Sequence, residues 1–372
     1  MPVNPFKYGC IVGGADFCPR PELAKAVREF VESGQNFYIQ GERRMGKSSL
    51  VCDTVSRMKS VRLLYVDLLH IRSVADFCHR VVRAASRLDR KRSFLDAVMS
   101  LVRRLRPTLS VDAETGAPVI SVDIATASKA ESVEDILDMI AQLSKRMRLC
   151  VVFDEFQDIL NVEDPQTVLA LLRSGIQFQG DTPFVFLGSV RNAMSDIFTK
   201  SRSPFYKSAM ALQVGEIDEE PFVRFLEAKF RKGRRTIDRS VIRAIMSCAR
   251  NTPGDVQELC ETVWQSTSSD VPVSSRDIDK ALALIFSRES KEYDFALKQL
   301  TRIQLRVLIG LARRDVSKPC AGAFLKETGV ANVNTVRKTI EKLMELDIVY
   351  PHEGIYRFGN PFFREWVRRT YP

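Results

Sequence analysis

The stretch that decides the fold is Gly41-Glu42-Arg43-Arg44-Met45-Gly46-Lys47-Ser48, followed by Ser49. It matches in full the phosphate-loop pattern, in which a glycine, four residues and a second glycine precede Lys-Ser. The glycines let the backbone curl so that its N–H groups face phosphate oxygens, and the helix that begins at Lys47 points its positive end at the same anion. We expect Lys47 to reach the β- and γ-phosphates and Ser48 to bind Mg²⁺. Residues 41–49 are therefore predicted to bind ATP with Mg²⁺.

Strands and helices alternate on both sides of this loop. The apolar patterns predict strands at 37–39, 61–67, 149–153, 184–187 and 209–214. They predict helices at 22–33, 48–60, 74–105, 133–148 and 165–178. Two β-rich runs around the turn Glu114-Thr115-Gly116 predict a hairpin inserted near 107–124. This alternation predicts a parallel α/β sheet, the core of a P-loop NTPase, over residues 1–215.

The pattern changes after Gly215 to helices alone. Apolar spacing predicts helices at 219–231, 238–250, 253–268 and 275–287, which form an all-helical lid over residues 216–290. The remaining residues, 291–372, predict helices at 301–314, 320–327 and 332–346 with a turn at Gly329, followed by a hairpin at 347–358. Three helices and a hairpin in this order are typical of a winged-helix domain.

A second polar group follows the strand 149–153. This buried strand ends in Asp154 and Glu155, at the edge of the sheet where open α/β sheets bind ligands. We expect Asp154 to hold Mg²⁺ through water or the Ser48 hydroxyl, and Glu155 to polarise the attacking water. Ser189 ends the next strand and could contact the γ-phosphate or that water, or could only cap the strand. The predicted catalytic residues are thus Lys47, Asp154, Glu155 and Ser189.

Some cations and polar groups near this site have two interpretations. Arg43 and Arg44 could face phosphate, but their position in the loop favours solvent or a neighbouring domain. Arg191 and Asn192 follow Ser189 and could supply charge or a donor at the γ-phosphate, although a surface role is the simpler interpretation.

Composition narrows the class of protein. The chain has 372 residues with a net charge of +10, and its eight cysteines and three histidines are scattered without a C-x-x-C pair. We therefore expect reduced thiols rather than a zinc site. No apolar run approaches the length of about 20 residues that spans a bilayer, and the N-terminus lacks the apolar core of a signal peptide. These features predict a cytoplasmic protein with no membrane contact.

The basic charge is concentrated in two segments. Residues 80–106 contain nine Lys/Arg against two Asp, and residues 301–372 contain thirteen Lys/Arg against seven Asp/Glu. Either segment could follow a phosphate backbone or could be a solvated helical face. The recognition helix 332–346 offers the DNA-binding candidates Asn334, Arg337, Lys338 and Lys342, although a winged helix can also act as a protein-facing gate.

Motifs along the whole chain resemble the archaeal-type ATPases of the STAND class, which are switch ATPases related to AAA+ proteins and to origin-initiator ATPases. The motifs are Asn4-Pro5-Phe6, Gly9, Val12, Phe17-Cys18-Pro19-Arg20, the loop 41–50 with its paired arginines, Phe153-Asp154-Glu155-Phe156-Gln157, and Asn360-Pro361-Phe362-Phe363-Arg364-Glu365-Trp366.

The resemblance implies further contacts. Val12, Phe17 and Arg20 would lie against adenine and ribose, and Pro253 in Asn251-Thr252-Pro253-Gly254 would touch nucleotide from the lid. Gln257 stands where initiator-type AAA+ proteins carry a sensor arginine, and Lys207 stands near where family members carry another. A partner or a neighbouring subunit could complete the site.

The hypothesis that follows is an ATP-binding and ATP-hydrolysing switch whose nucleotide state controls binding of DNA or a partner protein, through a nucleotide-dependent homo-oligomer if one forms. One alternative is a DNA-processing or loader ATPase of initiator type. Another is a nucleotide-gated scaffold with little hydrolysis, against which the intact Asp154-Glu155 pair argues. A small-molecule kinase is disfavoured because no acceptor pocket can be recognised.

Overall fold

The computed structural model describes residues 3–111, 118–122, 129–189, 192–269 and 271–371. The chain divides into two compact units. One is Cys10–Glu216, and the other combines Met1–Gly9 with Ile217–Pro372. The chain therefore passes from one unit to the other twice, after Gly9 and after Glu216.

A parallel sheet forms the centre of the unit Cys10–Glu216. The described strands of this unit are β1 (Phe37–Gly41), β2 (Arg62–Asp67), β3 (Pro107–Val111), β4 (Pro118–Val122), β5 (Leu149–Asp154), β6 (Phe184–Ser189) and β7 (Met210–Gln213). Five of them pair in parallel in the order β2-β5-β6-β1-β7. Because crossovers between parallel strands need helices, the chain returns through a helix after nearly every strand. The predicted α/β fold is confirmed.

Helices cover both faces of this sheet. They are α1 (Pro21–Glu32), α2 (Lys47–Ser56), α3 (Val74–Ser86), α4 (Arg92–Leu101), α5 (Lys129–Ser144), α6 (Pro165–Gln177) and α7 (Asn192–Thr199). On one face α1 and α2 pack against Ile39, Val152 and Leu187. On the other face a larger apolar cluster joins α3 to α7 with Phe153 and Phe186. Both faces of β5 are buried, as the apolar run from Leu149 to Phe153 requires.

The segment between β2 and β5 contains a broken helix and a hairpin. The helix expected over 74–105 is two helices, because α3 ends at Ser86 and the Asp89 side chain accepts a hydrogen bond from the Lys91 N–H before α4 begins. That side-chain bond offers the backbone a turn in place of a helical turn. The predicted hairpin is present as the antiparallel pair β3 and β4, and its turn at 114–116 lies outside the described residues.

The second unit is mainly helical. Its elements are α8 (Glu219–Lys232), α9 (Arg239–Cys248), α10 (Pro253–Gln265), α11 (Ser275–Lys298), α12 (Arg302–Arg313), α13 (Gly322–Thr328), α14 (Val333–Glu345), β8 (Val349–His352), β9 (Ile355–Phe358) and α15 (Pro361–Thr370). The helix α11 is longer than predicted and runs without a break through residue 291, where we placed the start of the third domain. That three-part division remains a prediction.

The C-terminal part of this unit has the arrangement of a winged helix. The helices α12, α13 and α14 are followed by the antiparallel strands β8 and β9, and Val316 adds a bridge to Tyr356. Leu308, Val336 and Phe363 belong to its apolar core. The last helix, α15, was not predicted, although Asn360 caps it through the N–H groups of Phe362 and Phe363.

The first residues of the chain pack within this second unit. Phe6 is buried and its ring centroid lies 4.7 Å from that of Phe230. The Lys229 ammonium donates to the Pro5 carbonyl at 2.6 Å, and the Asn4 amide donates to the backbone and side chain of Glu261. Among the helices that the structure describes, none is both long and apolar enough to cross a membrane.

Candidate phosphate-loop site

The loop between β1 and α2 has the backbone of a phosphate cradle. Gly46 has φ +82°, and α2 begins directly after it at Lys47. A Cβ on Gly46 would approach Phe17 only to 4.0 Å, so the positive φ rather than crowding explains the glycine. Gly41 has the opposite reason, since its Cβ would lie 2.4 Å from the Val214 carbonyl oxygen. The two glycines of the motif therefore answer different physical requirements.

Lys47 is buried at the base of this loop, with only 6% of its surface exposed. Its ammonium donates to the backbone carbonyls of Gly41 and Glu42, both at 2.9 Å. Burial lowers the pKa of Lys47, whereas the charges of Glu155 and Asp154 oppose that shift. The cation is thus held inside the curl of the loop and beside the carboxylates that end β5.

The carboxylate of Asp154 joins three elements. Its Oδ2 accepts hydrogen bonds from the Ser48 hydroxyl on α2 and from the Tyr65 hydroxyl on β2. Its Oδ1 accepts from the Glu155 N–H at 2.9 Å. Burial, followed by the charge of Asp154, raises the pKa of the Tyr65 phenol, so Tyr65 keeps its proton and remains a donor. Ser48 and Asp154 lie together as the sequence predicts, whereas Tyr65 was missed.

Glu155 lies just beyond the end of β5. Its backbone has φ +50°, an uncommon conformation for a residue with a side chain. Its Oε2 accepts a hydrogen bond of 2.6 Å from the Gln157 amide. The Gln157 side-chain oxygen Oε1 lies 2.5 Å from the position that a Cβ on Gly188 would take, so the Gln157 side chain fits there only because β6 has a glycine. Gln157 is a second residue of the site that motif reasoning did not assign.

Ser189 lies at the end of β6, next to the start of the loop. It is paired in register with Gly41 and is 7% exposed. Since β6 lies between β5 and β1, the ends of the three strands bring Ser189, Asp154 and Gly41 to one edge of the sheet. Arg191 and the side chain of Asn192 lie outside the described residues.

The segment before α1 is fastened to the loop and its helix. The Val12 N–H donates to the Ser49 hydroxyl at 3.1 Å, and Phe17 is buried in the same apolar cluster as Met45. Arg20 is 7% exposed, and its guanidinium donates to the carbonyls of Met45 at 2.9 Å and Gly215 at 2.6 Å. Arg20 therefore has a structural task in addition to the adenine contact that the resemblance implies.

The paired arginines of the loop point outward. Arg43 and Arg44 are both exposed, and Arg44 has φ +64°. Glu42 between Gly41 and Arg43 is half-buried. The exposure of both arginines agrees with the solvent-facing interpretation and leaves them accessible to a partner.

The lid candidates belong to the second unit. Pro253 is buried at the first position of α10. A proline is favourable there because the N–H that it lacks would have no partner within the helix. Gln257 is 8% exposed one turn further along the same helix.

Just before α10, Arg250 pairs with Asp315 at 2.9 Å, and Arg364 contacts the same carboxylate at 3.4 Å. This triad joins the lid helices to the winged-helix part of the unit.

The basic segments differ in how much of their charge has a local partner. In the recognition helix Asn334, Arg337 and Lys338 are exposed, whereas Lys342 is half-buried and lies 3.4 Å from Glu345. In the segment 80–106, several arginines have protein partners: Arg80 pairs with Asp76, Arg92 with Asp96, and Arg104 with Asp135. Arg80 and Arg83 on α3, with Arg87 directly after it, line a cavity of about 470 Å³ beside Tyr65 and Asp67.

Two segments of the chain match the models of known domain families. Residues 31–191 match the model of a family described as "AAA domain", and residues 291–369 match one described as "probable winged helix domain". The chain thus carries an AAA domain followed by a winged-helix domain. No curated protein sequence matches the chain.

Solved structures with the same fold span nearly the whole chain. A Walker-type ATPase of Pyrococcus abyssi has 16% identity and a TM-score of 0.65, covering 96% of this chain and 97% of its own. The Aeropyrum pernix ORC1 protein, solved in complex with DNA, has 14% identity and a TM-score of 0.52, with 96% and 93% covered. The ADP form of Aeropyrum pernix ORC2 has 15% identity and a TM-score of 0.52, with 98% and 96% covered. At these identities the likeness establishes the fold.

Proposed function

We propose that this protein is an ATP-dependent molecular switch that binds ATP with Mg²⁺ at residues 41–49 and hydrolyses it slowly or on stimulation by a partner. The observation that carries the proposal is the convergence of Lys47, Ser48 and Asp154 at the C-terminal edge of the parallel sheet. The likeness in fold to a Walker-type ATPase supports it. Assignment to the STAND class rests on the sequence motifs.

The residues present fit both groups that the fold implies. A hydroxyl and a carboxylate oxygen, from Ser48 and Asp154, are the hard ligands that Mg²⁺ prefers. Backbone N–H groups at the start of α2 and the Lys47 ammonium suit phosphate oxygens. When bound, Mg²⁺ would neutralise charge on the β- and γ-phosphates.

The chain's own residues divide the remaining tasks. Glu155 lies one residue beyond Asp154 and would accept a proton from the attacking water at its carboxylate. Ser189, at the end of the adjacent strand, would donate a hydrogen bond toward the γ-phosphate. Val12 and Phe17, close to Ser49 and Met45, would cover the adenine side. The resemblance adds Pro253, at the start of α10, as a nucleotide contact.

The switch output is the second part of the proposal. The lid helices and the winged helix share one compact unit, held together by the continuous helix α11 and by the Arg250–Asp315–Arg364 triad. A nucleotide-dependent change in the lid would therefore move the winged helix with it. The output would be binding of DNA or of a regulatory protein, or formation of a homo-oligomer whose neighbour completes the site.

A DNA-processing ATPase of initiator type is the second candidate. The exposed side chains of Asn334, Arg337 and Lys338 on α14 favour it, since this helix reads DNA in winged-helix proteins. Arg337→Ala with Lys338→Ala should weaken DNA binding at about 50 mM salt, where phosphate contacts are strongest. Wild-type protein that binds no DNA at this salt, with or without ATP, would eliminate this candidate.

The test of the switch proposal compares ATP binding and turnover in the wild type and in Lys47→Ala. Loss of the Lys47 contacts to phosphate, each worth about 1.5–3 kcal/mol, should weaken ATP binding at least tenfold and abolish turnover. Lys59→Ala, which truncates an exposed lysine just beyond the same helix, is the matched control and should behave as wild type. Equal ATP turnover in Lys47→Ala and wild type would refute the proposal. Measuring turnover with and without DNA then separates the two candidates.

A further inference from the structure

The Tyr65 hydroxyl bonds to the same oxygen of Asp154 that accepts from Ser48. Tyr65 lies in β2, outside both sequence motifs of the site, and its side chain is only half-buried. Among apolar strand residues a tyrosine usually serves as a packing residue with its hydroxyl near water. Here the hydroxyl is instead directed at a buried carboxylate, which is 7% exposed.

The sheet register explains how Tyr65 reaches this carboxylate. In the parallel pair of β2 and β5, Tyr65 lies opposite Val152 and Asp67 lies opposite Asp154. Side chains alternate along a strand, so Val152 and Asp154 share the face of the sheet on which α2 packs, and Tyr65 belongs to the apolar cluster of that face. A diagonal neighbour two residues away is about 7–8 Å distant, which long side chains can span. Phenylalanine would fill the same space but could not donate.

The three donors at this carboxylate have different duties. Ser48 is itself a candidate Mg²⁺ ligand, and the Glu155 N–H holds Oδ1 at 2.9 Å. Tyr65 approaches Oδ2 from the neighbouring strand, whereas Ser48 approaches it from α2. Tyr65 and the Glu155 N–H are therefore the donors whose task at this carboxylate is orientation alone.

We propose that Tyr65 is a positioning residue that fixes the Asp154 carboxylate in the orientation needed for Mg²⁺ at the nucleotide site. The inference rests on the proposed function of that site. Groups that hydrogen-bond a metal-binding carboxylate typically change metal affinity by about 10–100-fold when they are removed. Tyr65 thus sets the Mg²⁺ requirement of nucleotide binding without touching the nucleotide.

The experiment measures binding of a fluorescent ADP, N-methylanthraniloyl-ADP, in EDTA and across a Mg²⁺ titration. Tyr65→Phe should leave the affinity in EDTA unchanged and raise the half-saturating Mg²⁺ concentration about 10–100-fold. Tyr38→Phe is the matched control, because it removes a hydroxyl from β1 of the same sheet, where the Tyr38 ring stacks on Phe198 at 4.3 Å. It should leave both quantities at wild-type values.

A double-mutant cycle tests whether Tyr65 acts through Asp154. In the Asp154→Asn background, Tyr65→Phe should produce no further change in the Mg²⁺ requirement, since coupled residues are not additive. An equal shift in both backgrounds would overturn the proposal. A wild-type Mg²⁺ requirement in Tyr65→Phe would also overturn it, and a melting temperature below that of Tyr38→Phe would then assign Tyr65 a purely structural role.

The outcomes for the two proposals are distinguishable. Wild-type protein that fails to bind the fluorescent ADP contradicts the nucleotide site itself. Wild-type protein that binds it equally well in EDTA and in Mg²⁺ contradicts the Mg²⁺ site and, with it, the role of Tyr65. Wild-type protein with a clear Mg²⁺ requirement that Tyr65→Phe shares contradicts only the role of Tyr65.

Discussion

Truncation of Arg20 should destabilise the unit Cys10–Glu216 even when no nucleotide is bound. The guanidinium donates to the carbonyl oxygens of Met45, in the phosphate loop, and of Gly215, where the chain leaves the sheet. The resemblance to switch ATPases assigns Arg20 to the adenine side of the nucleotide instead. The two roles predict different effects of the same substitution, so Arg20→Ala separates them.

The magnitude follows from the surroundings of the two carbonyls. Gly215 is exposed, so its carbonyl can exchange the guanidinium for water at little cost. Met45 is 3% exposed, and a buried carbonyl without a donor costs about 1–3 kcal/mol. Release of a buried cation offsets part of this loss. We therefore expect Arg20→Ala to lower the free energy of unfolding by about 2 kcal/mol.

Urea denaturation of the nucleotide-free protein, followed by far-ultraviolet circular dichroism, measures this change. The matched control is Arg28→Ala, which removes an exposed arginine from α1 and should stay within about 0.5 kcal/mol of wild type. An Arg20→Ala protein that keeps wild-type stability but loses ATP affinity would refute the structural role and favour the contact with nucleotide.

Two further predictions concern single contacts. Gly41→Ala should lower the free energy of unfolding by about 1–3 kcal/mol because the added Cβ would lie 2.4 Å from the Val214 carbonyl oxygen. Gly215→Ala is the control, since its added Cβ has open space and should leave the free energy of unfolding unchanged. Thermal unfolding of both variants checks this. Asp315→Asn should destabilise by less than about 1 kcal/mol at pH 7, since the pair with Arg250 is partly exposed. The hydrogen bond from Arg250 holds the pKa of Asp315 below its usual range, so this stabilisation is present above about pH 4 and is lost as the pH falls through the folded-state pKa. Urea midpoints of wild type and Asp315→Asn at pH 7 and pH 3 measure this loss, with Asp294→Asn as the exposed control. The midpoints of Asp315→Asn and wild type should come closer together at pH 3, and a gap that widens toward pH 3 would contradict the predicted direction.

The features that sequence could predict are those with a local cause. The buried run 149–153 specifies a central strand, and the spacing of Gly41, Gly46 and Lys47 specifies the loop, because both patterns are complete within a few residues. The break between α3 and α4 is also local, but its signal is one Asp89 side-chain bond inside a run that otherwise favours helix. Propensity summed over the whole segment hides such a bond.

The features that sequence could not predict depend on contacts between segments that are distant in the chain. Tyr65 and Asp154 are 89 residues apart and meet only because β2 pairs with β5 in one particular register. The contact of Arg20 with Gly215 likewise joins residues 195 positions apart. Gln157 is closer to its partner, yet its fit depends on Gly188 in another strand. A shift of the β2–β5 pairing by one residue would turn Tyr65 to the face of the sheet opposite Asp154.

The phosphate loop and its helix are hydrogen-bonded to residues near both places where the chain leaves the unit Cys10–Glu216. Val12 bonds to Ser49 two residues after the chain enters this unit, and Arg20 ties Met45 to Gly215 one residue before the unit ends. To move the proposed switch from a 1:99 to a 99:1 ratio of its two conformations, nucleotide must bind the favoured conformation about 5.5 kcal/mol more tightly than the other. A few charge-assisted hydrogen bonds of about 1.5–3 kcal/mol each can supply that much. They can do so only if the two conformations differ in the loop. We expect a displacement of Met45 or Ser49 to reach Gly215 and Val12 through the hydrogen bonds of Arg20 and of the Val12 N–H.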